Sequence, residues 1–261
     1  MRKVLLIIGI IVAVLLVGLL IASWAINEDR PTGEQGPAAE AMAEKMLEAI
    51  NYEAWQNTRF LRWTFPGGHH YTWDKTKGLV QVRWGDTEVL LRTDDVTGKA
   101  WRKRELLKGE AAEEAIETAW GYFCNDSFWL NAPAKVFDAG TQRSLVELED
   151  GGKGLLVEYK SGGVTPGDAY LWRLDENGLP KSFEMWVSII PVGGLEASWE
   201  GWTTLATGAR LSTAHDLGLF TTEISNLKGG NTLESVWLGI YPFEALGERL
   251  AVPQQPKAAQ D

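Results

Sequence analysis

The sequence predicts an α+β protein that is mostly antiparallel β, with a strongly curved sheet, or half-barrel, covering two helices and one transmembrane helix before it. Three observations predict this fold class. An unbroken apolar run occupies residues 4–22, two later segments carry apolar residues at helical spacing, and about a dozen alternating segments are separated by tight turns. Because strand twist accumulates, a sheet of that many strands curls, and a half-barrel around the helices is the economical arrangement.

The apolar run at residues 4–22 is expected to be a membrane anchor. At ~1.5 Å per residue, a helix of this length crosses a hydrocarbon core of ~30 Å. Arg2 and Lys3 precede the run and Glu28 and Asp29 follow it, so the positive-inside rule places the N-terminus in the cytoplasm. The sequence therefore predicts a single-pass protein of the cytoplasmic membrane, N-in and C-out, whose domain faces the periplasm or the exterior.

The rest of the chain divides by composition. Residues 1–26 are the anchor, or a signal segment if a peptidase cleaves after the small residues near its end. Residues 27–37 combine charge, Gly and Pro and are expected to form a flexible linker. Residues 38–250 are expected to form a single extracytoplasmic half-barrel domain, and the polar, Pro-containing residues 251–261 a disordered tail.

Helical spacing predicts two covering helices. The first spans residues 38–50, where Met46 and Ile50 share an apolar face with their neighbours. The second spans residues 110–123, where Trp120 and Phe123 share such a face. Both are expected to lie against the sheet.

Alternating patterns predict the strands. The expected strands before the second helix are 59–65, 69–74, 79–84, 87–93 and 99–104, and those after it are 135–140, 143–149, 154–160, 169–175, 182–190 and 195–206, with further segments ending near Ile224. In the first hairpin, Trp63, Tyr71 and Trp73 fall on one apolar face. We expect the sheet to be covered on that face only.

Charge and cysteine content exclude several classes of partner and site. The formal net charge is −10, so nucleic acid is not an expected partner, and anionic lipid headgroups suit the surface as a whole poorly. The single cysteine, Cys124, allows no internal disulfide. The sequence lacks a recognisable catalytic, nucleotide-binding or metal motif, so we expect no enzyme activity, no cofactor and no metal.

Tryptophan is the most unusual feature, with 13 in the chain. Large aromatic side chains pack well in the core of a curved sheet, and this is the simplest explanation for them. Some could instead line a pocket for an apolar ligand, and the candidates are Trp63, Trp73, Trp172 and Trp186.

Histidine offers a weaker alternative. Alternation places His70 and Asp74 on one face of a strand, and a distant His215 and Asp216 could complete a metal site or a hydrolase centre. That hypothesis requires these side chains to converge in the fold.

The order of elements carries a resemblance. An export segment, a first amphipathic helix, meandering strands, a middle helix and further long strands resemble the half-barrel of the periplasmic lipoprotein carriers of the LolA type. Residues 69–84 (HHYTWDKTKGLVQVRW) and 125–140 (NDSFWLNAPAKVFDAG) also look like an uncharacterised family of exported, Trp-rich bacterial proteins. The half-barrel resemblance implies a concave apolar surface that holds an acyl chain between the sheet and its helices.

Two functions follow as hypotheses. The first is a membrane-tethered binding protein that holds a lipid, an acyl chain or part of a lipoprotein in its cavity. The alternative is a non-catalytic structural or interaction module of the cell envelope, with a filled core and a protein partner.

Overall fold

The computed structural model describes residues 27–161 and 164–248. The expected anchor, residues 1–26, and the expected tail, residues 251–261, lie outside the described residues. Within the described part of the chain, no helix is both long enough and apolar enough to span a bilayer.

Three α-helices are present in the described residues: α1 (Pro37–Ala49), α2 (Tyr52–Asn57) and α3 (Glu110–Asn131). The first predicted helix is confirmed as α1, which buries Ala39, Ala43 and Met46. The second is confirmed as α3, but it continues past Phe123 because Ser127 and Leu130 extend its buried face. Short 3₁₀ helices lie at Lys75–Lys77, Ala132–Lys135, Glu234–Val236 and Pro242–Leu246.

Most strands follow the expected segments, but the one expected at residues 195–206 ends at Ser198, and only Thr203–Thr204 is extended beyond it. They are β1 (Phe60–Phe65), β2 (His69–Asp74), β3 (Leu79–Trp84), β4 (Thr87–Arg92), β5 (Gly98–Arg102), β6 (Glu105–Leu106), β7 (Thr141–Glu147), β8 (Lys153–Tyr159), β9 (Ala169–Leu174), β10 (Pro180–Trp186), β11 (Leu195–Ser198), β12 (Thr203–Thr204), β13 (Arg210–Leu211), β14 (Ala214–Asp216), β15 (Thr221–Glu223) and β16 (Ser225–Gly230). The strand predicted at residues 135–140 is wrong. Pro133 opens a 3₁₀ turn there, and Gly140, at φ 84°, precedes the start of β7.

The strands form two main antiparallel sheets. The first has seven strands in the order β16-β1-β2-β3-β4-β5-β6, and the second has five in the order β11-β10-β9-β8-β7. The α+β, mostly antiparallel fold class is therefore confirmed. The sheets are open and not strongly curled, so the strands are not one continuous curved sheet. Dividing the strands between two sheets relieves the twist that one long sheet would accumulate.

The described residues form two compact units. Unit 1 contains the residues up to Tyr52, Phe128–Thr203 and Arg210–Glu223, and unit 2 contains Glu53–Ser127, Thr204–Ala209 and the residues from Ile224. The seven-stranded sheet belongs to unit 2 and the five-stranded sheet to unit 1. Neither unit is a contiguous stretch of sequence.

In unit 2, the seven-stranded sheet buries side chains on both faces. Trp63 and Tyr71 lie on one face, as expected, and we call it the inner face; they pair across β1 and β2, and both are buried near Phe123 of α3. On the outer face, Phe60 is buried with Phe243. Phe243 belongs to the described residues after β16, 231–248, which we call the C-terminal segment. The expectation that only one face is covered is therefore wrong, because residues after β16 return to the sheet.

In unit 1, the five-stranded sheet packs against α1. Trp172, Phe183 and Trp199 are buried with Met46 of that helix. The other face carries a smaller apolar cluster that includes Leu156.

The segment before α1 lies along unit 1. Glu34 and Leu145 exchange backbone hydrogen bonds, each with N···O 2.8 Å, and Arg30 forms an ion pair with Glu158 at 3.0 Å. A side chain at Gly33 would meet the Leu145 carbonyl oxygen at 2.6 Å, so this close approach requires glycine. The segment expected to be a linker thus makes specific contacts with the sheet.

Candidate functional site

Trp63 and Trp73 lie together on the inner face of the seven-stranded sheet. The Trp63 ring stacks on Tyr71 with centroids 4.5 Å apart, and the Trp73 ring meets Phe123 edge-on at 5.1 Å. The two indole centroids are 6.5 Å apart. Aromatic rings thus occupy the space between this sheet and α3.

Trp172 and Trp186 lie on opposite faces of the five-stranded sheet. Trp172 is buried, and its ring centroid is 5.0 Å from those of Phe183 and Trp199. The Trp186 indole is half-buried on the other face and donates a hydrogen bond to the Glu28 carbonyl oxygen at 2.8 Å. Of the four predicted ligand-binding tryptophans, the structure brings only Trp63 and Trp73 into one cluster.

The His and Asp residues of the weaker hypothesis have separate partners. The Asp74 carboxylate accepts hydrogen bonds from Arg59, while exposed His70 pairs with the Thr64 hydroxyl at 3.0 Å. Partial burial, together with nearby Arg83 and Arg62, lowers the pKa of His70. Among the residues that the structure describes, no three His, Cys, Asp or Glu side chains are placed to share a metal ion.

His215 is a fully buried imidazole in unit 1. Its ring lies between Trp199, at 4.6 Å, and Trp129, at 5.2 Å. Nδ1 donates to the Ser198 carbonyl oxygen at 3.0 Å, and Nε2 lies buried without a hydrogen-bond partner among the described residues. Burial lowers the pKa of His215 to about 4, against the opposing effects of the Ser198 and Trp129 backbones and Glu200.

The stability of the protein should therefore depend on His215 at mildly acidic pH. The unfolded chain protonates this imidazole near its ordinary pKa of about 6.5, whereas the folded chain does so only near 4. Above pH about 6.5 the His215 imidazole is neutral in both states, so it does not lower the free energy of unfolding. As the pH approaches 4, the unfolded chain binds the proton and the free energy of unfolding falls by up to about 3 kcal/mol. Urea unfolding at a series of pH values, compared with His215→Gln, measures this term. Equal slopes for both proteins between these pH values would contradict it.

Asp126 of α3 ties the first hairpin to the helix in unit 2. Its buried carboxylate accepts hydrogen bonds from the Tyr71 hydroxyl at 2.5 Å and from His69 Nδ1 at 2.7 Å. Burial and the Asp126 carboxylate raise the pKa of Tyr71. The His69 ring stacks on Tyr122 at 4.0 Å. A carboxylate that holds Nδ1 orients an imidazole, and here it also fixes the Pro66–Gly67–Gly68 turn next to the helix.

Lys75 lies against two indole rings of unit 2, those of Trp55 and Trp73. Its ammonium is 3.6 Å from the Trp55 ring centroid and 5.9 Å from that of Trp73, and it donates to the Trp55 carbonyl oxygen. Burial lowers the pKa of Lys75 to about 7. Its contacts join α2 to the segment after β2.

The C-terminal segment covers part of the outer face of the seven-stranded sheet. Asp74 is fully buried and accepts two hydrogen bonds from Arg59, at 3.2 and 2.9 Å, and one from the Tyr241 hydroxyl at 2.9 Å. At the end of the segment, Glu248 forms ion pairs with Lys77 and Arg92, both at 2.9 Å. These polar contacts hold the C-terminal segment against the outer face of the seven-stranded sheet.

An open groove of about 870 Å³ lies on the outer face beside the C-terminal segment, whose Pro242 and Ala245 contribute to its lining. We call it the outer groove. Arg83 and His70 face each other across β2 and β3, and Lys103 and Arg104 stand at the turn between β5 and β6. Its lining also includes the Trp101 side chain and two acidic residues, Asp86 and Glu88.

Cations of the outer groove lack acidic partners. Arg83, Lys103 and Arg104 form no ion pair within the described residues. The Glu88 carboxylate accepts a hydrogen bond from Gln81 at 2.6 Å. The groove thus presents available positive charge on a chain whose formal net charge is −10.

Beside the outer groove lies a second surface, which we call the Trp237 surface and which comprises Arg62, Lys228, Trp237 and Ile240. Arg62 of β1 pairs in register with Lys228 of β16. The Lys228 ammonium is 4.1 Å from the Trp237 ring centroid, and Arg62 donates to the Trp237 carbonyl oxygen at 3.4 Å. The Trp237 and Ile240 side chains are 71% and 76% exposed.

Of the residues of both surfaces, sequence reasoning singled out only His70, and for a metal site, and it missed Asp126. Arg62 and Arg83 could have been found, because strand alternation and the tight turns place them on the same face as His70. Trp237 could not, because it lies in a segment without periodicity.

No family model matches the chain, and no curated protein matches it. The resemblance to the periplasmic lipoprotein carriers therefore stays a prediction.

Proposed function

We propose that the protein is a membrane-tethered, extracytoplasmic and non-catalytic interaction module of the cell envelope, which binds an acidic segment of a partner protein in the outer groove. The observation that carries the proposal is the set of groove cations without acidic partners in the described structure, Arg83, Lys103 and Arg104. Charge complementarity of this kind steers a partner to its site and fixes its register.

The groove has the side-chain chemistry of a protein interface. Arg83 can bind a carboxylate through two parallel hydrogen bonds, and Trp101 provides flat apolar surface beside it. Arginine and tryptophan are enriched among residues that dominate binding energy.

Binding on an outer surface also accords with the side-chain packing inside each unit. The lipid-carrier hypothesis requires an acyl chain between a sheet and its helices. In unit 2 the rings of Trp63 and Phe123 occupy that space, and in unit 1 Trp172 and Phe183 are buried at the corresponding place. This packing favours the interaction module over the lipid carrier, whose cavity ligand stays a prediction.

Site-specific photocrosslinking tests the proposal in the full chain in its own membrane. A photoreactive amino acid at Arg83 should give one discrete crosslinked partner. Lys103→Glu combined with Arg104→Glu should weaken that crosslink by about tenfold or more, since like charges then oppose the acidic partner.

Lys181 provides the matched control, because it is an exposed cation on β10 of unit 1. A photoreactive residue there should not give the same partner, and Lys181→Glu should leave the Arg83 crosslink unchanged. Equal crosslinking from both positions would contradict the proposal. Labelling of peptides containing Trp63 or Trp172 by a photoactivatable fatty acid would instead support the lipid carrier.

A further inference from the structure

We propose that the Trp237 surface docks on the anionic headgroup layer of the membrane to which the chain is tethered. The proposal relies on the tether for nearness to the membrane and does not depend on an occupant of the outer groove.

The apolar part of the surface suits the membrane interface. Trp237 and Ile240 are both more than two-thirds exposed and are separated by only two residues. Trp237 has a left-handed backbone conformation, with φ 56°, that ends the 3₁₀ turn Glu234–Val236. Tryptophan is enriched at headgroup depth because its ring is apolar and its N–H stays hydrated.

The charged part of the surface selects the kind of headgroup. Lys228 and Arg62 flank Trp237, and neither forms an ion pair within the described residues. Glu234 is the acidic group of the adjacent 3₁₀ turn, and hydrogen bonds from its own backbone and from Thr232 lower its pKa. Two cations beside two exposed apolar side chains match an interface of lipid phosphates over acyl chains.

Charge elsewhere on the chain makes the docking directional. The formal net charge of −10 repels most of the surface from an anionic bilayer. A local pair of cations with exposed apolar side chains is therefore a face that such a bilayer accepts.

Quenching by brominated lipids tests the proposal on the full chain reconstituted into nanodiscs. The discs contain phosphatidylcholine alone or a mixture with phosphatidylglycerol, and bromine on the acyl chains quenches indoles at the interface. In the mixed discs, Trp237→Phe should remove a quenched component that the wild type shows. Any quenching of Trp24 is common to both proteins and cancels in the comparison.

The cations should matter only with anionic lipid. The quenched component of Trp237 gives the ratio of docked to undocked protein. Arg62→Gln and Lys228→Gln should each lower this ratio by about fivefold in the mixed discs, and neither should change it in phosphatidylcholine alone.

The hairpin between β14 and β15 offers a matched control, because Leu219 and Phe220 at its tip are 95% and 60% exposed. Trp237→Ser with Ile240→Ser should abolish docking, whereas Leu219→Ser with Phe220→Ser should preserve it. The proposal is overturned if Trp237→Phe leaves the quenching unchanged, or if the quenching is equal in both kinds of disc. The Arg83 crosslink reports on the groove separately, so the two proposals can fail independently.

Discussion

Trp172→Ala should lower the free energy of unfolding by about 3–5 kcal/mol, because it removes one of the largest side chains of the unit 1 core and leaves a cavity. Trp172 is buried, and its ring meets both Phe183 and Trp199 at 5.0 Å. Chemical denaturation of the full chain in detergent micelles, followed by circular dichroism, measures the change.

Trp186→Ala is the control on the opposite face of the same sheet. This half-buried ring makes one hydrogen bond, to the Glu28 carbonyl oxygen, so its loss should lower the free energy of unfolding by only about 1–2 kcal/mol. A Trp172→Ala variant as stable as the wild type would contradict the structural role and favour a ligand-binding role for Trp172.

Asp74→Ala should lower the free energy of unfolding by about 3–5 kcal/mol. The substitution leaves Arg59 without its carboxylate and Tyr241 without its acceptor in a buried site. Because Asp74 holds the C-terminal segment, backbone amides at residues 233–246 should exchange hydrogen for deuterium faster in Asp74→Ala than in the wild type. This increase should be larger than that for the amides of β8. Mass spectrometry of the exchanged peptides measures both effects.

Glu248→Gln separates the buried contact from the exposed one. Its ion pairs with Lys77 and Arg92 are partly exposed to solvent, which screens them, so their loss should leave the C-terminal segment in place. If exchange became faster throughout the C-terminal segment in Glu248→Gln but stayed unchanged in Asp74→Ala, then Glu248, and not Asp74, would hold the segment.

Local patterns predicted the strands well where turns punctuate them. The segments from β1 to β5 are each bounded by turns, and the turns at Gly67–Gly68, Gly78 and Gly85 have positive φ angles that favour glycine. The shared face of Trp63, Tyr71 and Trp73 followed from alternation within β1 and β2, although the register that pairs Trp63 with Tyr71 did not.

Pairing between distant strands was not predictable in the same way. β16 pairs with β1, so that Gly230 lies opposite Phe60, although neither segment encodes its partner. The division of the strands into two sheets follows from such non-local choices, as does the cover that Tyr241 and Phe243 provide on the outer face.

The candidate sites show the same limit. Trp172 and Trp186 have similar alternating surroundings in sequence, but one is buried in the core and the other lies on the opposite face. Asp126 lies within an apolar helical segment, and its partners His69 and Tyr71 belong to a hairpin far away in sequence. A single sequence does not show which polar residue a distant segment will satisfy.

β16 is the last strand among the described residues, and it is made long after β1, the strand of the same sheet with which it pairs. Until Ser225–Gly230 emerges, β1 has a free edge opposite β2, with unpaired backbone N–H and C=O groups. Strand edges of this kind recruit other chains, so the nascent protein is vulnerable to aggregation until β16 has been made. A chain that stops after Glu223 contains every described strand of unit 1, but its unit 2 still lacks the edge strand β16.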